Sequence, residues 1–181
     1  MDYIGKRISI QRKEDELSIV ILSFQNKVKN IFLFIWILLW SLSGMIVLTQ
    51  YFLLIDADTK TAIIVWMGFW IYFEYKIVKA YRWRRSGKEI IKIREGKLFY
   101  KRDVSGKGKI KNYVIDFIKD LRLIEPQSNS FFKNLTDSYW VIANEKLVFD
   151  YYGTEIKFGI QLDEADAKAL LKLIKNKIGS R

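Results

Sequence analysis

Hydrophobic residues follow three different patterns along this chain of 181 residues. Residues 30–55 contain no charged side chain, and after a short polar turn, DADTK, a second apolar run begins at Thr61. About 20 apolar residues in a helix cross a hydrocarbon core of roughly 30 Å. The first run also lacks the polar stripe of a helix in a soluble protein. The pattern therefore predicts a hairpin of two transmembrane helices within residues 29–80, at about 30–54 and 61–80.

The residues before the first apolar run have an alternating pattern. Apolar side chains recur at every second position on both sides of a charged turn at residues 13–16, which is typical of two strands that each bury one face. We therefore predict an N-terminal cytoplasmic β-hairpin within residues 1–28. Because an isolated hairpin is marginally stable in water, we expect it to pack on, or extend, a sheet formed later in the chain. The alternative is that it lies along the membrane surface.

Residues 81–181 combine short alternating segments with one helical pattern. Turns are indicated at Glu95-Gly96 and Tyr152-Gly153, and a polar segment at residues 126–137 is predicted to be a mobile loop. The last segment, at about 163–178, begins at a good N-cap and has an apolar stripe at helical spacing. The pattern predicts about seven strands followed by one amphipathic helix.

The charge of the chain is concentrated in one region. The formal net charge is +11, and residues 76–111 carry the whole of this excess. Since Lys and Arg near membrane spans collect on the cytoplasmic side, both termini are predicted to be cytoplasmic. The residues predicted to lie at the membrane interface are Lys76, Lys79, Arg82, Trp83, Arg84, Arg85 and Lys88.

A second basic group follows in the predicted strands. Its members are possible contacts for anionic lipids, and they are Lys101, Arg102, Lys107, Lys109 and Lys111. Clustered cations near a membrane contribute about 1 kcal/mol each, although the same lysines are also typical of a solvated sheet edge. No nucleic-acid recognition motif accompanies the charge, so we do not expect nucleic acid as a partner.

Inside the predicted spans, Glu74 is the one acidic residue. An intramembrane carboxylate is a candidate proton or ion site, but the alternative is that it reaches the cytoplasmic surface and pairs with Lys76 or Lys79. Tryptophans recur four residues apart in both spans, and each pair lies on one helical face. These tryptophans are predicted either to form a contact between helices or to face lipid.

The residue types restrict the chemistry. The chain has no cysteine and no histidine, which excludes thiolate and imidazole nucleophiles and Cys/His zinc sites. The carboxylates are spread over predicted turns and caps. We therefore expect no catalytic residues, no cofactor, no metal site and no enzymatic activity.

Three segments, GKEIIKIREGKLFYKR, KNYVIDFIKDLRL and FDYYGTEIKFGIQLDEADAKALLKLI, resemble bacterial membrane proteins with a pleckstrin-homology-like (PH-like) domain after a transmembrane hairpin. The resemblance implies an α+β membrane protein of the bacterial inner membrane. Its residues 81–181 would form a PH-like β-sandwich or partly open barrel capped by the C-terminal helix. The family shares no catalytic residues.

The function that follows from these patterns is a non-enzymatic, membrane-anchored adaptor or complex subunit. It would present a cytoplasmic protein-binding surface and contact membrane lipids together with a protein partner or further copies of itself. The alternatives are an anionic-lipid-sensing module and an accessory subunit of a transporter or secretion complex.

Overall fold

The computed structural model describes residues 2–24, 26–53, 56–124 and 144–179, which fall into two compact units. The sheet unit contains residues 2–24, 86–124 and 144–179, and the helical unit contains residues 26–53 and 56–85. The protein is therefore an α+β chain with two long apolar helices and a sheet-rich domain that ends in a helix.

A six-stranded antiparallel sheet, sheet 1, forms the first half of the sheet unit, and its strands follow chain order. They are β1 (Asp2–Ile4), β2 (Ile8–Arg12), β3 (Leu17–Leu22), β4 (Gly87–Arg94), β5 (Lys97–Val104) and β6 (Ile110–Val114). β3 pairs directly with β4, with Leu17 opposite Ile93 and Leu22 opposite Lys88. The prediction that the N-terminal strands extend a later sheet is confirmed. Both long helices are inserted in the chain between these two paired strands.

A three-stranded antiparallel sheet, sheet 2, and a helix complete the unit. The strands are β7 (Ile118–Leu123), β8 (Glu145–Tyr151) and β9 (Thr154–Ile160), and a short 3-10 turn, Ile115–Phe117, precedes them. The final helix spans Glu164–Gly179, close to the predicted bounds; we call it α3. The mobile loop expected at residues 126–137 lies outside the described residues.

The two predicted hairpin turns are present and have the backbone conformation that their X-Gly sequences favour. Glu95 and Gly96 have φ angles of 47° and 74°, and Tyr152 and Gly153 have φ angles of 52° and 77°. Two consecutive positive φ angles define the two-residue turn whose twist matches that of the flanking strands, and glycine occupies the second position without steric cost.

The core of the sheet unit is built from the inward faces of the strands and the apolar stripe of α3. Alternate residues of β2, β3 and β4 are buried, including Ile19 and Ile91, and they join Phe149 and Phe158 of sheet 2 in one cluster. Full burial of each such side chain stabilises the fold by about 1.5–3 kcal/mol. From α3 the buried residues are Ala167, Leu170 and Ile174.

The helical unit consists of α1 (Lys27–Leu53) and α2 (Ala57–Ser86). Both helices are long and apolar enough to cross a membrane. Only 11% of an 18-residue apolar stretch in α1, and 6% of one in α2, is buried. A core helix of a soluble protein would be mostly buried.

Helix α2 is longer at both ends than the predicted 61–80, so residues 81–86 continue the helix and do not begin the later domain as predicted. At its start the carboxylate of Asp56 accepts the Thr59 N–H at 2.8 Å, which caps the helix earlier than the apolar pattern indicates. At its end Arg84 and Arg85 are good helix formers and interact favourably with the helix dipole.

The two helices contact each other in antiparallel orientation. The indole N–H of Trp70 donates to the Trp40 carbonyl oxygen at 3.1 Å, and the Ser41 hydroxyl donates to Glu74 Oε1 at 2.8 Å. Trp40 and Trp70 are therefore half-buried at the helix contact, whereas Trp36 and Trp66 are 46% and 40% exposed. Each of these two tryptophan pairs therefore has one ring at the contact and one exposed ring.

We predict that Gly44→Ala destabilises this helix pair by about 1–3 kcal/mol, a typical cost of overpacking. An added Cβ at Gly44 would lie 2.2 Å from the Trp70 ring, so the indole must move and weaken its bond to Trp40. Unfolding of the full chain by SDS titration in detergent measures the change. Gly68→Ala is the matched control because nothing lies within 4 Å of its Cβ. Equal midpoints for the two variants would contradict the close contact.

Candidate functional site

A buried carboxylate joins the two sheets. Glu89 lies in β4 and is 1% exposed. Its Oε1 accepts the Tyr100 hydroxyl at 2.5 Å, and its Oε2 accepts the backbone N–H of Ile160, in β9, at 2.8 Å. Burial raises the pKa of Glu89 above its usual value, against the opposing effect of these hydrogen bonds.

Arg102 extends this network towards the surface. Its Nε donates to the Tyr100 hydroxyl at 2.6 Å and lies 3.6 Å from Glu89 Oε1. Its Nη2 donates at 2.9 Å both to Glu145 Oε1 and to the Lys157 carbonyl oxygen. The guanidinium of a sheet 1 strand therefore bonds to β8 and β9 of sheet 2, and the planar group is fixed from several directions.

Tyr100 and Arg102 of this network line an open groove of about 380 Å³ between strands of the two sheets. Residues of β5, β6, β8 and β9, together with Lys109 just before β6, line it. They are Tyr100, Arg102, Lys109, Lys111, Tyr113, Glu145, Glu155, Ile156 and Lys157.

Both acidic groups of the groove are paired with cations, but two of its lysines have no acidic partner among the described residues. Glu145 is paired with Arg102, and Glu155 lies 2.9 Å from Arg122 and 3.3 Å from Lys157. Among the described residues, no acidic group forms an ion pair with Lys109 or Lys111. These two ammonium groups give the groove an excess of positive charge.

Of the five predicted anion contacts, the structure brings Arg102, Lys109 and Lys111 together in the groove. Lys101 is occupied elsewhere, because its ammonium lies 2.7 Å from the buried carboxylate of Asp103 and donates to the Gly106 carbonyl oxygen at 3.3 Å. Lys107 is exposed in the turn before β6 and does not line the groove.

Sequence reasoning missed Glu89, Tyr100 and Lys157. One signal was available for Glu89, because it shares the alternation of Ile91 and Ile93, which point into the core. A charged residue at an inward position is expected only when it is paired.

The residues predicted to lie at the membrane interface differ in exposure and in the element that carries them. Lys76, Lys79, Arg82 and Arg85 are exposed along α2. Trp83 and Arg84 are only 4% and 9% exposed, whereas Lys88 lies in β4 with its ammonium 3.6 Å from Asp103.

Glu74 lies in α2 and bonds to Ser41 of α1. Among the described residues, neither Lys76 nor Lys79 forms an ion pair with it. The carboxylate therefore belongs to the contact between the helices, although we predicted pairing with a neighbouring lysine as one alternative.

No family model, curated protein or solved structure matches this chain. In the part of the chain that the structure describes, no group of three or more acidic residues could hold a metal ion.

We predict opposite pH effects for the two buried carboxylates of the sheet unit. The raised pKa of Glu89 means that the folded state binds its proton more tightly than the unfolded state. Its contribution to the free energy of unfolding therefore falls as pH rises from the unfolded pKa, about 4.3, through the folded pKa. Glu89→Gln removes this part of the pH dependence in thermal melts of the full chain.

Asp103 provides the comparison. The hydrogen bond from Lys101 lowers the pKa of Asp103, so its stabilisation is present at neutral pH and is lost as pH falls through the folded pKa. Asp103→Asn should lower the melting temperature at neutral pH and flatten the loss of stability in acid. Parallel pH profiles for the two variants would show that the assigned pKa shifts are wrong.

Proposed function

We propose that this chain is a non-enzymatic, membrane-anchored adaptor of a bacterial inner membrane. Its sheet unit is a PH-like domain that presents a protein-binding groove to the cytoplasm. The observation that carries the proposal is the open, partly aromatic groove with its uncompensated Lys109 and Lys111. A concave site with a few converging polar groups is the usual form of a binding site.

The exposed surface of the helical unit supports membrane anchoring. Large apolar side chains such as Phe32, Leu39, Phe69 and Tyr75 are exposed on α1 and α2. In water this surface would have an unfavourable free energy of about 25 cal/mol per Å². In a bilayer the same surface faces hydrocarbon.

The layout of the sheet unit supports a PH-like fold. Two antiparallel sheets are followed by one amphipathic helix that buries its apolar stripe in their common core, which is the order expected from the resemblance. β1–β3 are additional to that pattern and lengthen sheet 1.

The distribution of basic residues supports cytoplasmic termini. Lys76, Lys79, Arg82 and Arg85 are exposed in the C-terminal part of α2, and segments rich in Lys and Arg beside membrane spans stay on the cytoplasmic side. Because two antiparallel spans return the chain to the side from which it left, the sheet unit would lie on that side as a whole.

The bonding of the groove favours binding over catalysis. Glu89, Tyr100 and Arg102 are mutually hydrogen-bonded, and their partners are strands of both sheets. A general base or nucleophile must be directed at the substrate. The side chains of Glu89, Tyr100 and Arg102 instead hold strands of the two sheets together.

A second function is an anionic-lipid sensor, and the exposed ammonium groups of Lys107, Lys109 and Lys111 are the observation that favours it. Lys101 and Arg102 already have internal partners, so this surface has fewer available cations than the sequence indicated. The adaptor is the better supported of the two. An accessory role in a transporter or secretion complex is a form of it.

For membrane anchoring, we expect the full chain to stay with the membrane pellet after alkaline carbonate washing of cell membranes and to dissolve only in detergent. A peripheral membrane protein processed in parallel serves as the control. Release of the chain into the wash as a monomer would show that the two helices do not span the membrane.

For the adaptor role, we expect the full chain, purified from membranes in mild detergent, to carry a stoichiometric protein partner. Lys109→Glu/Lys111→Glu should lose most of this partner because it reverses the uncompensated charge of the groove. Lys172→Glu/Lys175→Glu makes the same charge change on the exposed face of α3 and should retain it. Recovery of the wild-type chain alone, or equal losses from both variants, would count against the proposal.

A further inference from the structure

The groove is bordered by β6, which is the last strand of sheet 1 among the described residues. β6 pairs with β5, and it pairs with no other strand among the described residues. The Ile115 N–H donates back to the Gly96 carbonyl oxygen at 2.9 Å, whereas the Val114 N–H is directed to the Tyr151 hydroxyl at 3.5 Å. Because successive N–H groups of a strand point in opposite directions, those of Ile110 and Asn112 point away from β5, as that of Val114 does.

Side chains of residues 109–113, at the start of and within β6, alternate between the two faces of sheet 1. Lys109, Lys111 and Tyr113 line the groove, and Ile110, between the two lysines, is 67% exposed on the opposite face. An extended peptide that pairs with this edge also alternates its side chains. Every second one would therefore lie on the groove side, beside an uncompensated ammonium group.

We infer that β6 and the groove take up an extended acidic segment of a partner protein, which adds as a strand to sheet 1. This inference rests on the proposed adaptor function and specifies the chemistry of its partner. Backbone hydrogen bonds to Ile110 and Asn112 provide affinity, and carboxylates at alternate positions beside Lys109 and Lys111 provide specificity.

The arrangement of the cations favours a peptide over a lipid headgroup. Lys109 and Lys111 are spaced along a strand, and Arg102 is already bonded to Glu145, Tyr100 and the Lys157 carbonyl oxygen. Because the Arg102 guanidinium is already bonded, it is not available as a bidentate donor to a phosphate. A row of charges two residues apart matches an extended chain.

Lysine on an edge strand also has a purely protective role, because it discourages pairing with other chains. That role predicts that an acidic strand is not bound with any preference. The experiment below separates the two roles.

The experiment uses the full chain in nanodiscs of neutral phosphatidylcholine and measures fluorescence anisotropy of a labelled peptide of about eight residues that alternates Glu and Thr. The wild-type chain should bind it, and rising ionic strength should weaken binding. Lys109→Glu/Lys111→Glu should weaken binding about tenfold or more, whereas Lys172→Glu/Lys175→Glu should change it by less than about twofold.

Two altered peptides test the mode of binding. Replacing Glu by Gln removes the charge, and N-methylation of alternate backbone amides, in each of the two registers, removes the donors of one peptide edge. The uncharged peptide and one of the two methylated peptides should bind about tenfold more weakly. Equal binding of all peptides, or no binding of the acidic one, would overturn the inference.

Phosphatidylglycerol vesicles provide the last comparison, with flotation of the same nanodiscs as readout. Vesicle binding that Lys109→Glu/Lys111→Glu abolishes, without binding of the acidic peptide, would assign the groove to lipid and overturn the inference. If the acidic peptide fails while the purified chain still carries a partner that depends on Lys109 and Lys111, the inference fails and the adaptor function stands.

Discussion

The groove and the sheet-to-sheet contact both depend on one buried carboxylate. Glu89 is removed from water in β4, and such a charge is tolerated only when hydrogen bonds and an opposite charge replace its hydration. Tyr100, the Ile160 N–H and Arg102 provide these replacements from three other positions in the fold. The requirement to satisfy Glu89 therefore fixes β4, β5 and β9 relative to one another. Arg102, the member of this network nearest the surface, also lines the groove.

A second arginine joins the same two sheets further along β9. Arg7 precedes β2, and its guanidinium donates to the carbonyl oxygens of Leu22, Ile160 and Gln161. Burial lowers the pKa of Arg7, and the nearby carboxylates of Asp163, Glu89 and Asp166 oppose the shift. Leu22 is the last residue of β3, and the helical unit follows it in the chain. Arg7 and the ladder between β3 and β4 therefore hold the strand ends on both sides of that insertion. Lengthening a closed loop adds only a slowly growing entropic cost.

Local patterns predicted the elements well and the site only in part. The two apolar helices, the X-Gly turns and the stripe of α3 are set by residues close in sequence, and all three were predicted. The N-terminal strands were placed by a physical argument, since a lone hairpin is marginal. The end of α2 at Ser86 and the partners of Glu89 depend on contacts that periodicity does not contain. Arg102 was predicted only as a possible lipid contact, because its partners, Glu145 and Lys157, lie more than forty residues away in the chain.

The basic segment at residues 76–111 divides at the boundary between α2 and β4 into two groups with different surroundings. The cations of α2 lie on a helix whose apolar surface is exposed, and their position matches the interfacial end of a membrane span. The cations after Ser86 lie on strands or in the segment between β5 and β6, and Lys88, Lys101 and Arg102 compensate Asp103, Glu89 and Glu145. Lys109 and Lys111 are the members of the second group that line the groove without such compensation among the described residues. Under the proposed function, the first part of this excess would serve anchoring and the last part recognition. The formal charge alone could not distinguish the two, because burial and pairing decide which cations can act on a partner.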